Sequence, residues 1–321
     1  MLAAFDVFDK TFYVSLAVIG VPANFLAMVI LSRGKCGLST STTRYLMAMA
    51  TADLLVVITE VILYQIKYHY FPVSFLDITP VCSFNAVLRT TAKSCSVWLT
   101  ITFSFDRFVA ICCQKLRAKY CTGKTAVVVL ATTDILLCLI NIPFYFTQEP
   151  GVIIDSVPWG CITNPSYFTD IGWMGFKWFH TIFNPFLPFF LILLFNALTV
   201  SHILVASQVR KRLRGQSKGE SQSDPEMEGR RKSIILLFTI SGSFILLWLV
   251  NIVEFLYSNI TGAAHNDLHY VVRQVGFMLV SLSCCTNTFI YGVTQSKFRE
   301  QVKNTMKYPL TSIIRLMKKK Q

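Results

Sequence analysis

Apolar residues along this chain neither alternate strictly nor fall in the narrow stripes of a surface helix. They gather into seven long runs, at 11–32, 45–66, 80–112, 125–147, 174–207, 233–258 and 269–293. A helix rises about 1.5 Å per residue, so about 20 apolar residues cross the hydrocarbon core of a bilayer. Only helices and closed barrels satisfy their backbone in that core, and runs of this length without alternation are helices. The pattern predicts an all-α membrane protein, a seven-transmembrane helix bundle. Runs three and five exceed one crossing, which implies tilt or extension beyond the membrane. Three polar stretches frame the bundle: a short outer segment at 1–10, a loop at 210–232 bearing Gly215, Ser217, Ser221 and Pro225, and a tail at 294–321. In the tail, Phe298, Val302 and Met306 recur every fourth residue among Lys and Arg, the pattern of a short amphipathic helix after span seven lying against membrane lipid.

Composition agrees: 53% of residues are hydrophobic and 15% charged, too apolar for a soluble domain of 321 residues. The net charge of +13 raises the question of a nucleic-acid partner, but its distribution argues for none. Basic residues cluster in alternate loops, at Arg33, Lys35 and Arg44, at Lys115, Arg117 and Lys119, at 210–232, and beyond Lys297, whereas 148–176 holds neither Lys nor Arg. By the positive-inside rule the basic loops are cytoplasmic, so the amino terminus is expected outside a multi-pass plasma-membrane protein. Asp6, Asp9 and Lys10 interrupt any leader-like apolar stretch, and no cleavable signal peptide is expected. Cys82 and Cys161 then face an oxidising compartment, and a disulfide between them is expected to pin the loop between spans four and five over the bundle. Asn259 opens the one usable glycosylation sequon in the outer regions, because proline blocks the sequon at Asn164.

The order of motifs resembles the rhodopsin-like (class A) G-protein-coupled receptors over nearly the whole chain. Gly20-Val-Pro-Ala-Asn24 matches span one, Leu46 to Asp53 span two, Cys82 and Asp106-Arg107-Phe108 span three, Pro188 span five, Trp248 span six, and Asn287-Thr-Phe-Ile-Tyr291 followed by Phe298 the end of span seven. Cys82 and Arg107 lie 25 residues apart, roughly 37 Å of helix, on opposite faces of the membrane. Departures are Thr288 where the family has proline, no tryptophan within span four, Asp134 there instead, no proline after Trp248, and Arg230 where an acid often faces Arg107. Within the family the chain looks nearest to an orphan peptide or aromatic-amino-acid receptor subgroup. The resemblance implies a heterotrimeric G protein as partner and Asp106, Arg107, Asn287 and Tyr291 as the switch that meets it. With no acid at 230, Asp106 is the expected partner of Arg107, and some ligand-independent signalling is expected.

Ionisable groups inside a bilayer are costly, so each is a functional candidate. Asp53, with Asn24, Ser96, Ser283 and Asn287, matches a cluster that holds a sodium ion in the family; a protonated or water-bridged carboxyl is the other reading, and no further cofactor is expected. Arg89 and Lys93 lie one turn apart in the outer half of span three, with Glu60 and Glu254 at comparable depth and Trp248 and Phe244 beneath. Arg89 stands where an amine receptor needs an acid, and arginine suits bidentate binding of a carboxylate. The expected extracellular ligand is a peptide or an amino-acid-like molecule; the alternative is that these bases and acids pair among themselves. Span seven has no lysine for retinal. No nucleophile–base pair or metal-spaced His/Cys set suggests an enzyme. A scaffold or channel without G-protein coupling and an olfactory-type receptor are the competing readings.

Overall fold

The computed structural model describes residues 2–214, 225–261 and 267–305. Among them are seven helices long and apolar enough to cross a membrane: Ala4–Ser32, Thr40–Tyr70, Thr79–Cys112, Gly123–Thr147, Ile171–Gln208, Arg231–Asn259 and Asp267–Thr294, spans one to seven. Spans two and three are the most enclosed, whereas spans four and five leave most of their surface, including Phe190 and Leu204, outward, as lipid-facing helices do. An inner core of Leu46, Leu99, Phe103, Leu237, Tyr291 and Phe298 ties the cytoplasmic halves together, and a second cluster surrounds Trp248.

Several boundaries differ from the sequence expectation. The first helix starts at Leu2, within the stretch expected as an outer segment, and Lys10 pairs with Asp6 one turn back at 2.6 Å. Asp9 meets His69, at the end of span two, at 2.9 Å and is thereby held against the bundle. The loop at 210–232 is shorter than expected, because the flanking helices run to Arg214 and from Pro225; residues 215–224 lie outside the described residues, as do the tail beyond 305 and the side chain of Arg230. The helix after span seven covers 296–305, with Phe298 buried edge-on against Tyr291.

Two irregular segments shape the bundle. Val57–Ile66 of span two is π-helical, with hydrogen bonds to the fifth residue back, so faces beyond Val57 are turned relative to those before it. In span five the helix breaks at Asn184–Pro185: Ile182–Phe186 is π-helical and Asn184 leaves helical geometry (φ −118°, ψ 31°) ahead of a proline that cannot donate. The Asn184 amide donates to Ser94 of span three at 2.9 Å, and Asn141 of span four and His180 complete that network.

The loop between spans four and five adds a small β element to the otherwise helical fold. Strands β1 (Gln148–Glu149) and β4 (Ile162–Thr163) pair antiparallel, as do β2 (Val152–Ile154) and β3 (Val157–Trp159). Asp155 and Ser156 turn the inner hairpin with positive φ, as two-residue hairpin loops require. The Cys82–Cys161 disulfide fixes this loop to the top of span three, and Thr79 Oγ1 donates to the Gly160 carbonyl at 2.8 Å beside it.

Candidate functional site

Span three carries chemistry at three depths, each engaged by a neighbouring span. At the outer level Glu60, almost fully buried, faces both bases: Lys93 Nζ lies 2.7 Å and Arg89 Nε 3.3 Å from Glu60 Oε2. The π-helical turn presents Glu60 and, one turn on, Tyr64, whose ring stacks under the Arg89 guanidinium at 3.7 Å. Two cations share one acid, so the cluster keeps one uncompensated positive charge where the dielectric is low. Above it a cavity of about 430 Å³ opens between spans two and three and the disulfide-pinned loop, with Arg89 on its wall.

The other expected members of the outer site lie elsewhere. Glu254 meets His269 of span seven at 3.3 Å, both side chains buried, and takes no part in holding Lys93. Trp248 stacks on Phe244 with ring centroids 5.2 Å apart and does not line the cavity.

At the middle level Asp53 is fully buried and accepts from Ser96 Oγ at 2.6 Å and from Asn287 Nδ2 at 2.8 Å. Two residues assigned to this cluster make no hydrogen bond to Asp53. Asn24 donates to the Cys284 carbonyl at 2.9 Å and accepts from Thr288. Ser283 accepts from Trp248 Nε1 at 3.3 Å, linking spans six and seven. A space of about 10 Å³ lined by Ser96, Thr100, Ser243, Ser283 and Asn287 adjoins Asp53's partners, about the size of one water. Ile240 and Phe244 complete its lining, and its hydroxyls, with the Asp53 carboxylate behind Ser96 and Asn287, are oxygen donors of the hard kind that suits an alkali cation.

At the inner level Arg107 is buried against Asp106, which also accepts from Ser41 Oγ at 2.8 Å. Arg107 Nη1 donates to Ser233 Oγ of span six at 3.3 Å. Asp106 is therefore the acidic partner that the sequence led us to expect, and the tie to span six is a neutral hydroxyl. Tyr291, fully buried, closes this level from span seven, and Asn287 one turn above it joins it to Asp53.

Sequence reasoning did not connect Ser233 or Ser41 with the Asp106–Arg107 pair, or Tyr64 with Arg89. Ser233 had a signal: it lies three residues after Arg230 and so shares the helix face that addresses Arg107. Tyr64 had none, because its position depends on the π-helical turn.

Residues 23–291 match a family model described as 7 transmembrane receptor (rhodopsin family). The chain is 26% identical over 306 residues to the human growth hormone secretagogue receptor type 1, covering 90% of this chain and 78% of that protein. It is 26% identical to neuropeptide receptor 22 of Caenorhabditis elegans, over 90% of this chain and 67% of that one. With the FMRFamide receptor of Drosophila melanogaster it shares 23% identity, over 88% of this chain and 50% of the relative.

Proposed function

The chain belongs to the rhodopsin family of seven-transmembrane receptors, and from that premise we propose that Arg89 and Lys93 receive a carboxylate-bearing extracellular ligand whose binding releases Arg107 from span six. As a member of that family it is a multi-pass plasma-membrane receptor that signals through a heterotrimeric G protein and is not an enzyme. Family membership outweighs the channel and scaffold readings. The basic loops favour an amino terminus outside, and a relative named for a neuropeptide favours a peptide ligand.

The observation that carries the proposal is the shared acid at the outer end of span three. Glu60 is already closer to Lys93, so a ligand carboxylate gives Arg89 a second acceptor and relieves the surplus charge. Arg107 lies 18 residues further along the same helix, about 27 Å toward the cytoplasm. Any displacement of span three relative to span two is therefore felt at both ends of one rigid element. Trp248 and Ser283 couple span six to span seven midway. At the inner end the Arg107–Ser233 hydrogen bond holds span six against span three. When span six swings outward, Arg107, Asn287 and Tyr291 line the groove that accepts a G-protein helix. A sodium ion at Asp53 and Ser96, with Ser283 as a further oxygen, would favour the inward arrangement by adding a ligand that binds it preferentially.

Nucleotide exchange on purified G protein, driven by the receptor in lipid nanodiscs, tests the scheme. Wild type is expected to raise exchange without ligand. Arg107→Ala is expected to abolish that activity at equal folded receptor. Unchanged exchange in Arg107→Ala would remove Arg107 from the switch.

A further inference from the structure

The cavity beside Arg89 offers three features that together specify one chemical group. The Arg89 guanidinium is fixed in place, its Nε toward Glu60 at 3.3 Å and its plane on the Tyr64 ring, while its two terminal nitrogens meet no acceptor among the described residues. Asn85, one turn toward the outside on the same helix face, has its Oδ1 buried with no hydrogen-bond partner among the described residues. The remaining charges on the wall, Lys67 and Asp77, neutralise each other, so Arg89 supplies the cavity's surplus positive charge.

The free nitrogens call for an anion with two parallel acceptor oxygens. The orphaned oxygen calls for an N–H donor within one helical turn of that anion. A carboxylate with an N–H on the adjoining carbon carries both at this spacing. The geometry points to recognition of a free carboxyl terminus: the terminal carboxylate of a peptide or amino acid binds the outer nitrogens of Arg89, and the N–H of the same residue donates to Asn85 Oδ1. This rests on the cavity being the ligand site. About 430 Å³ falls toward the small end of ligand pockets, which run from about 300 to 1,000 Å³, so one or two residues enter and any remainder of a peptide stays outside. Tyr68 and Leu76 provide an apolar wall for the side chain of the last residue. A terminal amide is discriminated against, because it brings no charge and points N–H donors at Arg89's own donors.

The test uses the full chain in nanodiscs with purified heterotrimeric G protein. The probes are the free amino acids and a mixed dipeptide library, each supplied both as free acid and as terminal amide. In wild type the acids are expected to drive exchange about 10- to 100-fold more potently than the amides, the range for losing a charge-assisted hydrogen bond. The amino-acid and dipeptide arms separate the two sources of the carboxylate. Arg89→Lys keeps the charge, loses the fork and is expected to shrink the acid preference. Asn85→Leu leaves Glu60's ion pairs intact and is expected to weaken the acids about threefold to tenfold. Equal potency of acid and amide, or an amide preference, overturns the inference while leaving a working receptor. The same holds if neither set acts while basal exchange still depends on Arg107. Loss of all exchange, basal included, would instead bring down the receptor mechanism on which the inference rests.

Discussion

Replacing Ser233 by alanine removes the one acceptor on span six that Arg107 reaches among the described residues, at 3.3 Å. A hydrogen bond to a charged group contributes about 1.5–3 kcal/mol, and one this long, from a guanidinium already satisfied by Asp106, falls near or below the lower end, about 1 kcal/mol. That is about a fivefold change in the ratio of outward to inward arrangements. If the outward arrangement holds roughly 5% of molecules at rest, it would rise to roughly 20%. Ser233→Ala should therefore raise ligand-free nucleotide exchange severalfold at matched receptor amount. Ser233→Glu should lower it below wild type, because a carboxylate at that position gives Arg107 an ionic partner on span six. The assay is initial-rate exchange with receptor quantified independently of activity. If Ser233→Ala leaves basal exchange unchanged and Ser233→Glu does not lower it, the inner tie is not what sets the resting population.

Two further outcomes follow from the buried charges. Glu60→Gln strands Arg89 and Lys93 against each other; removing one partner of a buried pair costs about 3–5 kcal/mol, discounted here to about 2–3 because both bases are partly exposed, at 22% and 29%. The variant should show a lowered Tm that Lys93→Met largely restores, and an unchanged Tm would mean the cluster does not stabilise the bundle. Replacing choline by sodium at constant ionic strength should lower basal exchange in wild type but not in Asp53→Asn; a sodium effect that survives in Asp53→Asn would place the ion elsewhere.

Sequence alone determined the number of spans, the helix after span seven, the Cys82–Cys161 disulfide and the pairing of Asp106 with Arg107. All of these follow from quantities local to the chain: apolar run length against bilayer thickness, cysteine placement, and neighbouring positions on one helix. It also brought Arg89, Lys93 and Glu60 into one list. Which acid serves which base was decided by the tertiary structure. Glu60 takes both bases because Val57–Ile66 is π-helical and turns it toward span three, whereas Glu254 is claimed by His269 of span seven. Ser283 and Asn24 sit at the depth of Asp53, yet their hydrogen bonds go to Trp248 and to the Cys284 carbonyl. The span-five break falls at Asn184–Pro185, where Ser94 of span three holds the asparagine amide. Depth along a helix is fixed by a constant rise per residue and can be counted from the sequence. Rotation about the helix axis accumulates every irregularity in the hydrogen-bond ladder and is settled only when the helices pack, so the partners of buried polar groups emerge from the assembled bundle.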